Sequence, residues 1–427
     1  MSTATTMVDG APAATKDGYK WELLVMLCMV FFLHQADRAI FGVVLSDIMK
    51  DLELTQSQVG LIGTIFFVVM AAMMPVAGYV GDSCNRKWVI IGALICWSGA
   101  TLCTGFAGGV IGLILLRSVA TGGSEAFYTP SAYPLIASYH QQTRTVAMSL
   151  HQTTLYIAMM TSGLVAGYIG QKLGWRAAFT IFGGAGLVLG VFLMFRMRPA
   201  PVVTRTVKEK LGPLTALKLL VKTRTAALIT AGYLAVVLQF NAYVVWAPVF
   251  LQDKFGLSMT KAGSLAMSSV YLAAMGGVLL GGLWSDRMVK HRPGFRLELD
   301  AGAMILCVPA ILLVAFAPTL VLTCAGMVML GLCQGFYQAN TPAALFDVIA
   351  PRFRSSVLSV QVMTVYLLGS TAPWIFGHLC EAFGNTRGAS IGFAALAVTY
   401  TVGSIAALVA RIFTFQRDRY VEAPEGA

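Results

Sequence analysis

The chain has 427 residues, 57% of them hydrophobic and 11% charged, with a formal net charge of +11. Soluble domains carry roughly 25% charged residues, so this balance excludes an ordinary soluble domain and indicates an integral membrane protein. Of the 30 Lys and Arg, all but Arg38 and Arg117 fall in loops, tails or at helix ends, a distribution that sets topology and argues against nucleic acid as a partner.

In chain order, residues 1–21 form a polar tail without the apolar core of a signal peptide, and the first hydrophobic run is too long to be one, so a cytoplasmic tail is expected. Apolar runs then lie near 22–45, 57–81, 87–107, 109–138, 145–171 and 175–196. Each approaches or exceeds the roughly 20 residues that cross a bilayer as a helix, and they are continuous, unlike the alternating strands of a barrel. They define an N-terminal six-helix bundle over 22–196.

Residues 197–224 read as a basic cytoplasmic connector whose only acid is Glu209. Six further runs, near 225–252, 261–285, 298–318, 319–348, 354–380 and 386–411, define a C-terminal bundle over 225–411, and 412–427 form a second tail. The fold class is therefore an all-α membrane protein with twelve transmembrane helices. Arg86, Lys87, Arg144, Arg287, Lys290, Arg292, Arg352 and Arg354 share the connector's side, which places both termini in the cytoplasm of a multi-pass cell-membrane protein, the membrane being the inner one if the cell is bacterial. The eight cysteines are scattered through apolar segments without paired metal spacing, so no metal is expected. No Gly-x-x-x-x-Gly-Lys-Ser/Thr occurs, so no ATP engine and no cofactor are expected either.

The loops closing spans 2 and 8 resemble each other. Gly78, Asp82 and Arg86 recur as Gly282, Asp286 and Lys290 with the same Gly-to-Asp-to-base spacing. An acid at such a turn can cap a helix and pair with a base, so both copies read as cytoplasmic gating motifs, and a 6+6 repeat is the pattern of a duplicated transporter.

These paired loops, with twelve spans and a long basic connector, resemble the major facilitator superfamily. Within it, His34-Gln-Ala-Asp37-Arg38 and Gly122-Gly-Ser-Glu125-Ala126 are similar to motifs shared by spinster-like transporters and organic anion:cation symporters. Asn340 through Asp347 and Leu367 through Pro373 look closer to the spinster-like group, although Ser370 stands where its members often have an acid. The resemblance implies two bundles rocking around a central cavity.

Intramembrane charges are costly, about 2.5 to 3.5 kcal/mol each on insertion scales, and mark pathways. Asp37 and Glu125 are therefore read as the proton-coupling pair. On span 1, His34, Asp37 and Arg38 share a helical face, and Arg38 or Arg117 would bias the carboxylates or dock an anion. Tyr128 follows Glu125 on the same side, and Tyr156 on span 5 is a second cavity candidate. The C-terminal half has neutral counterparts: Gln239, Asn241, Tyr243, Gln334, Tyr337, Gln338 and Asn340 are expected to offer hydrogen-bonding and stacking surface. No nucleophile-base pair indicates an enzyme. The expected function is secondary active transport by alternating access, as proton-coupled uptake of a small organic anion such as a sugar acid by a monomer. The alternatives are a lysolipid or other amphiphile as substrate, or proton-coupled export.

Overall fold

The computed structural model describes residues 17–198 and 212–420, apart from the side chains of Asp17, Asp82, Thr145 and Arg352. Most of the N-terminal tail, the part of the connector that holds Glu209, and the Asp82 carboxylate lie outside the described residues.

Twelve helical rods follow one another: α1 (Asp17–Val43), α2 (Gln56–Ser83), α3 (Arg86–Thr104), α4 (Val110–Tyr139), α5 (Arg144–Leu173), α6 (Trp175–Arg196), α7 (Arg224–Phe255), α8 (Met259–Val289), α9 (Phe295–Phe316), α10 (Leu320–Phe346), α11 (Arg354–Phe383) and α12 (Asn385–Asp418). Among the described residues, eleven are long and apolar enough to cross a membrane. The exception by composition is α5, whose first turns carry Ser149, His151, Gln152, Thr153 and Thr154. Side chains cap the starts where the turn supplies them: Thr55 and Gln58 form a capping box before α2, and Ser258 accepts the Lys261 N–H before α8.

Within the N-terminal half α1 packs on α5 and α3 on α6; within the C-terminal half α8 packs on α10, α10 on α9 and α9 on α12, with α7 against α12. The halves meet through α5 with α8 and α2 with α11, while α1 meets α7 between them. Glycine sets the closeness of these seams. A methyl group on Gly163 would stand 2.3 Å from the Gly263 carbonyl of α8, and one on Gly60 would stand 2.4 Å from the Pro373 carbonyl of α11. Both glycines lie in the half of the molecule opposite the termini. There, polar bonds also cross the seam: Gln56 to Asn385 at 2.8 Å, Ser46 to Gln252 at 3.0 Å, Thr260 to Gln171 at 2.6 Å, and Ser57 to Glu381. The bundles are clasped at that end, and Gln338 is solvent-exposed towards the other.

Three details depart from the sequence expectations. A helix at Pro213–Lys222 within the connector buries Ala216 and Leu220 among Leu345, Val348 and Val357, so this stretch belongs to the C-terminal bundle. Part of the second tail is likewise packed: Asp418 accepts the Thr225 N–H at 2.8 Å and its hydroxyl at 2.9 Å. Finally, the C-terminal half does hold an intramembrane acid, Asp300 on α9, which is 2% exposed. Its neighbours Leu297, Leu299 and Ala301 are buried too, and the charge cluster Arg296, Glu298, Asp300 disguised it as a loop edge.

Candidate functional site

The site is built by α1 and α4, and a change of helical pitch decides its geometry. Residues Ile114–Thr121 of α4 form π-helical turns, with an α-helical turn at Gly122–Glu125 immediately after. The extra residue per turn resets the angle between Arg117 and Glu125 from that of an uninterrupted α-helix. Gly122 lets α2 come close, since a methyl group there would be 2.8 Å from the Phe66 carbonyl. The Phe66 ring then covers the Arg117 guanidinium at 4.6 Å.

Two crossed ion pairs result. Arg117 Nη1 donates to Asp37 Oδ2 at 2.7 Å and its Nη2 to the Asp37 carbonyl at 3.1 Å, while the Thr101 hydroxyl donates to Asp37 Oδ1 at 2.9 Å. Arg38 Nε donates to Glu125 Oε2 at 2.9 Å. Asp37 is thus fully satisfied, whereas Glu125 Oε1 is buried with no hydrogen-bond partner among the described residues. His34 closes the group: its Nε2 lies 3.3 Å from the Glu125 carbonyl and 3.7 Å from Oε2, and Gln35 Nε2 reaches its Nδ1 at 3.1 Å. If the Gln35 amide donates, the imidazole is the tautomer with its hydrogen on Nε2, facing Glu125.

The two arginines differ in access. Arg117 is 3% exposed and fully engaged by Asp37 and Phe66. Arg38 is less buried, with one nitrogen on Glu125 and another 3.0 Å from the Met70 sulfur. A small cavity runs past both, lined by Phe41, Gly63, Phe67, Val244 and Val245, with the two valines coming from the C-terminal bundle.

Several expected cavity residues are turned inwards. Tyr128 is fully buried, donating to the Leu27 carbonyl at 2.7 Å and lying 2.8 Å from His151 Nε2. Gln334 bonds Gln239 and the Tyr400 hydroxyl inside the C-terminal bundle. Tyr243 donates to the Ala266 carbonyl at 2.7 Å, Tyr337 reaches the Ile229 carbonyl at 3.5 Å, and Asn340 bonds its own helix at Phe336. Between the bundles, Tyr156 donates to Gln338 at 3.3 Å. Asn241 is fully buried one turn before Val245, with neither amide atom bonded among the described residues.

Four tyrosines escaped the sequence reading. Tyr133 of α4, Tyr233 of α7, Tyr271 of α8 and Tyr366 of α11 lie within electrostatic reach of one another, directly or in sequence, and Arg38 acts on Tyr271 and Tyr366. The hydroxyls of Tyr233, Tyr271 and Tyr366 make no hydrogen bond among the described residues. One of these phenols belongs to the N-terminal bundle and three to the C-terminal bundle. Their sequence signal was weak, because a tyrosine in an apolar run is ordinary packing until its neighbours are known.

Of the gating motifs, Arg86 Nε donates to the Gly81 carbonyl at 3.3 Å, and a methyl group on Gly78 or Gly282 would meet open space. Asp286 lies 3.6 Å from Arg296 of α9, and Lys290 is exposed.

The family model for the Major Facilitator Superfamily matches residues 27–373. The chain belongs to this superfamily. Among superfamily relatives, an MFS-type efflux pump of Mycolicibacterium smegmatis is 28% identical over 94% of this chain and 95% of its own length. A probable sulfoacetate transporter of Cupriavidus necator is 26% identical over 88% and 92%. Among solved structures, a bacterial homologue of the human lysosomal transporter spinster, in an inward-facing and occupied conformation, superposes with a TM-score of 0.84 over 96% of this chain and all of its own, at 20% identity. The chain is therefore a multi-pass membrane transporter with the superfamily fold, similar to both groups named by its motifs.

Proposed function

We propose that this transporter imports a small organic anion together with a proton, by alternating access, with its termini in the cytoplasm. The observation that carries the reading is the Arg38 to Glu125 pair. The same guanidinium that holds the Glu125 carboxylate faces the space between the bundles, so Glu125 and an incoming carboxylate compete for one cation. Protonating Glu125 removes its charge and frees Arg38 to take the anion, and losing the proton restores the internal pair and expels the anion. Proton and anion are thus bound together or not at all. His34 steadies the reacting carboxyl, Asp37 and Arg117 hold α1 to α4, and the phenols with Gln338 receive the polar body of the substrate.

Support also comes from the sulfoacetate transporter, whose named substrate is an organic anion. The clasp opposite the termini and the exposed Gln338 fit a state open to the cytoplasm. Uptake into proteoliposomes with an imposed pH gradient tests this: sugar acids, sulfonated acids and lysolipids are offered in turn, with wild type and Glu125→Gln. Accumulation of an acid that follows the gradient and is lost in the variant is the expected result. Transport of the lysolipid alone, or flux that ignores the gradient, rejects the proposal.

A further inference from the structure

The C-terminal bundle holds a carboxyl that coupling through Glu125 does not use. Asp300 lies in the second turn of α9, 2% exposed, and its Oδ1 has no hydrogen-bond partner among the described residues. One turn earlier stands Arg296, at a spacing that lets the two side chains meet. Arg296 is instead engaged elsewhere: its Nη1 donates to both oxygens of Asp347 at 3.1 and 2.9 Å, and its Nη2 lies 3.6 Å from Asp286. Around Asp300, α10 presents the Tyr337 phenol, whose hydroxyl reaches the Ile229 carbonyl of α7, with Tyr233 beyond it. On α12, Arg411 is taken up by Glu298 at 2.8 Å. Among the described residues, Arg296 is the charge that acts on Asp300.

A carboxylate in such a place must be neutral or find a cation. Asp347 differs, because it is partly exposed and water can take over its charge when Arg296 leaves. We propose that Asp300 is a second proton-binding site, and that its ionisation draws Arg296 off Asp347 and so releases the junction of α9, α10 and the C-terminal stretch. The step is a single proton passing from the Asp300 carboxyl to water, followed by rotation of one arginine. Asp347 is the pivot because it ends α10 and its carbonyl accepts the Tyr420 N–H at 2.9 Å. The inference is independent of the role given to Glu125.

The test uses substrate-free full-length protein in lipid nanodiscs. Infrared difference spectra are taken as the pH is raised, with released protons counted by an indicator dye and a spin-label distance read between the α9 start and the α10 end. The expected result is a protonated-carboxyl stretch that disappears on alkalinisation in wild type and in Glu125→Gln but is absent from Asp300→Asn. Asp300→Asn should also release one proton fewer per chain and hold the labels at the acid-form distance at every pH. Arg296→Gln should keep the stretch and lose the distance change, and Asp300→Glu should move the stretch in frequency, so these two carry the test should Asp300→Asn fail to fold. Wild-type bands persisting in Asp300→Asn, a stretch unmoved in Asp300→Glu, or a carboxyl that titrates without any change in distance would each overturn the proposal.

Discussion

Asp37 and Arg38 are adjacent in sequence and do not pair: Asp37 is bound by Arg117 of α4, and Arg38 reaches past it to Glu125, one π-interrupted stretch further along that same helix. Four charges are thereby divided into a closed pair and an open one. The closed pair has every carboxylate oxygen satisfied; the open pair leaves Glu125 Oε1 without a partner among the described residues and Arg38 beside a cavity.

The open pair should govern coupling. Glu125→Gln mimics the protonated acid, so counterflow of the substrate across proteoliposomes should persist while accumulation driven by a pH gradient falls by at least about tenfold, or ~1.4 kcal/mol. Accumulation equal to wild type would remove Glu125 from the mechanism.

The closed pair should govern stability. Breaking a buried ion pair from one side strands a charge and costs roughly 3 to 5 kcal/mol, so Arg117→Ala should lower the unfolding temperature in detergent sharply. Joint replacement of Asp37 and Arg117 by alanine should be milder than the two single losses added together. Additive losses would mean that the pair is not coupled.

Arg38→Lys separates charge from geometry. Lysine keeps the positive charge but not the planar fork that grips a carboxylate at two points. Anion affinity, measured by calorimetry, should weaken about tenfold, with ~1.4 kcal/mol lost, while the unfolding temperature stays near wild type.

The seam opposite the termini should be sensitive to a single methyl group. Gly163→Ala would place Cβ 2.3 Å from the Gly263 carbonyl, so α5 and α8 must separate. Overpacking of this kind costs about 1 to 3 kcal/mol, enough to shift the balance towards the state open on that side. Spin labels at the far ends of α5 and α8 should report a longer mean distance than in wild type.

At that same end, Asp51 is held below the usual carboxylate range by hydrogen bonds from Arg176 and from the Trp175 indole. Because the folded value is depressed, this contact is present above the ordinary aspartate range and is lost only as pH falls through the lowered one. Arg176→Ala should therefore lower stability slightly at neutral pH and leave it unchanged at the acid limit, where the contact is already lost, which a series of melting curves against pH would show.

Much of this architecture was legible in residue order. Transfer cost makes a 20-residue apolar run a membrane helix wherever it lies, so the twelve rods and the four charges in α1 and α4 followed from pattern alone. The distribution of basic residues supports an expected orientation by the same local logic. What a linear pattern lacks is the rotation of each helix about its own axis. Gln239 and Gln334 look as suited to a cavity as Gln338, yet the first two bond each other inside a bundle and Gln338 is exposed.

Residue order therefore determined that charges are buried in α1 and α4 and which residues carry them there. Only the tertiary structure decided their partners, because the π-helical turns of α4 rotate Arg117 relative to Glu125 and the glycine contacts set which faces of α2, α5, α8 and α11 can meet. It likewise revealed Asp300 as isolated, since whether a carboxyl near a helix start reaches water or Arg296 depends on helices far away in sequence.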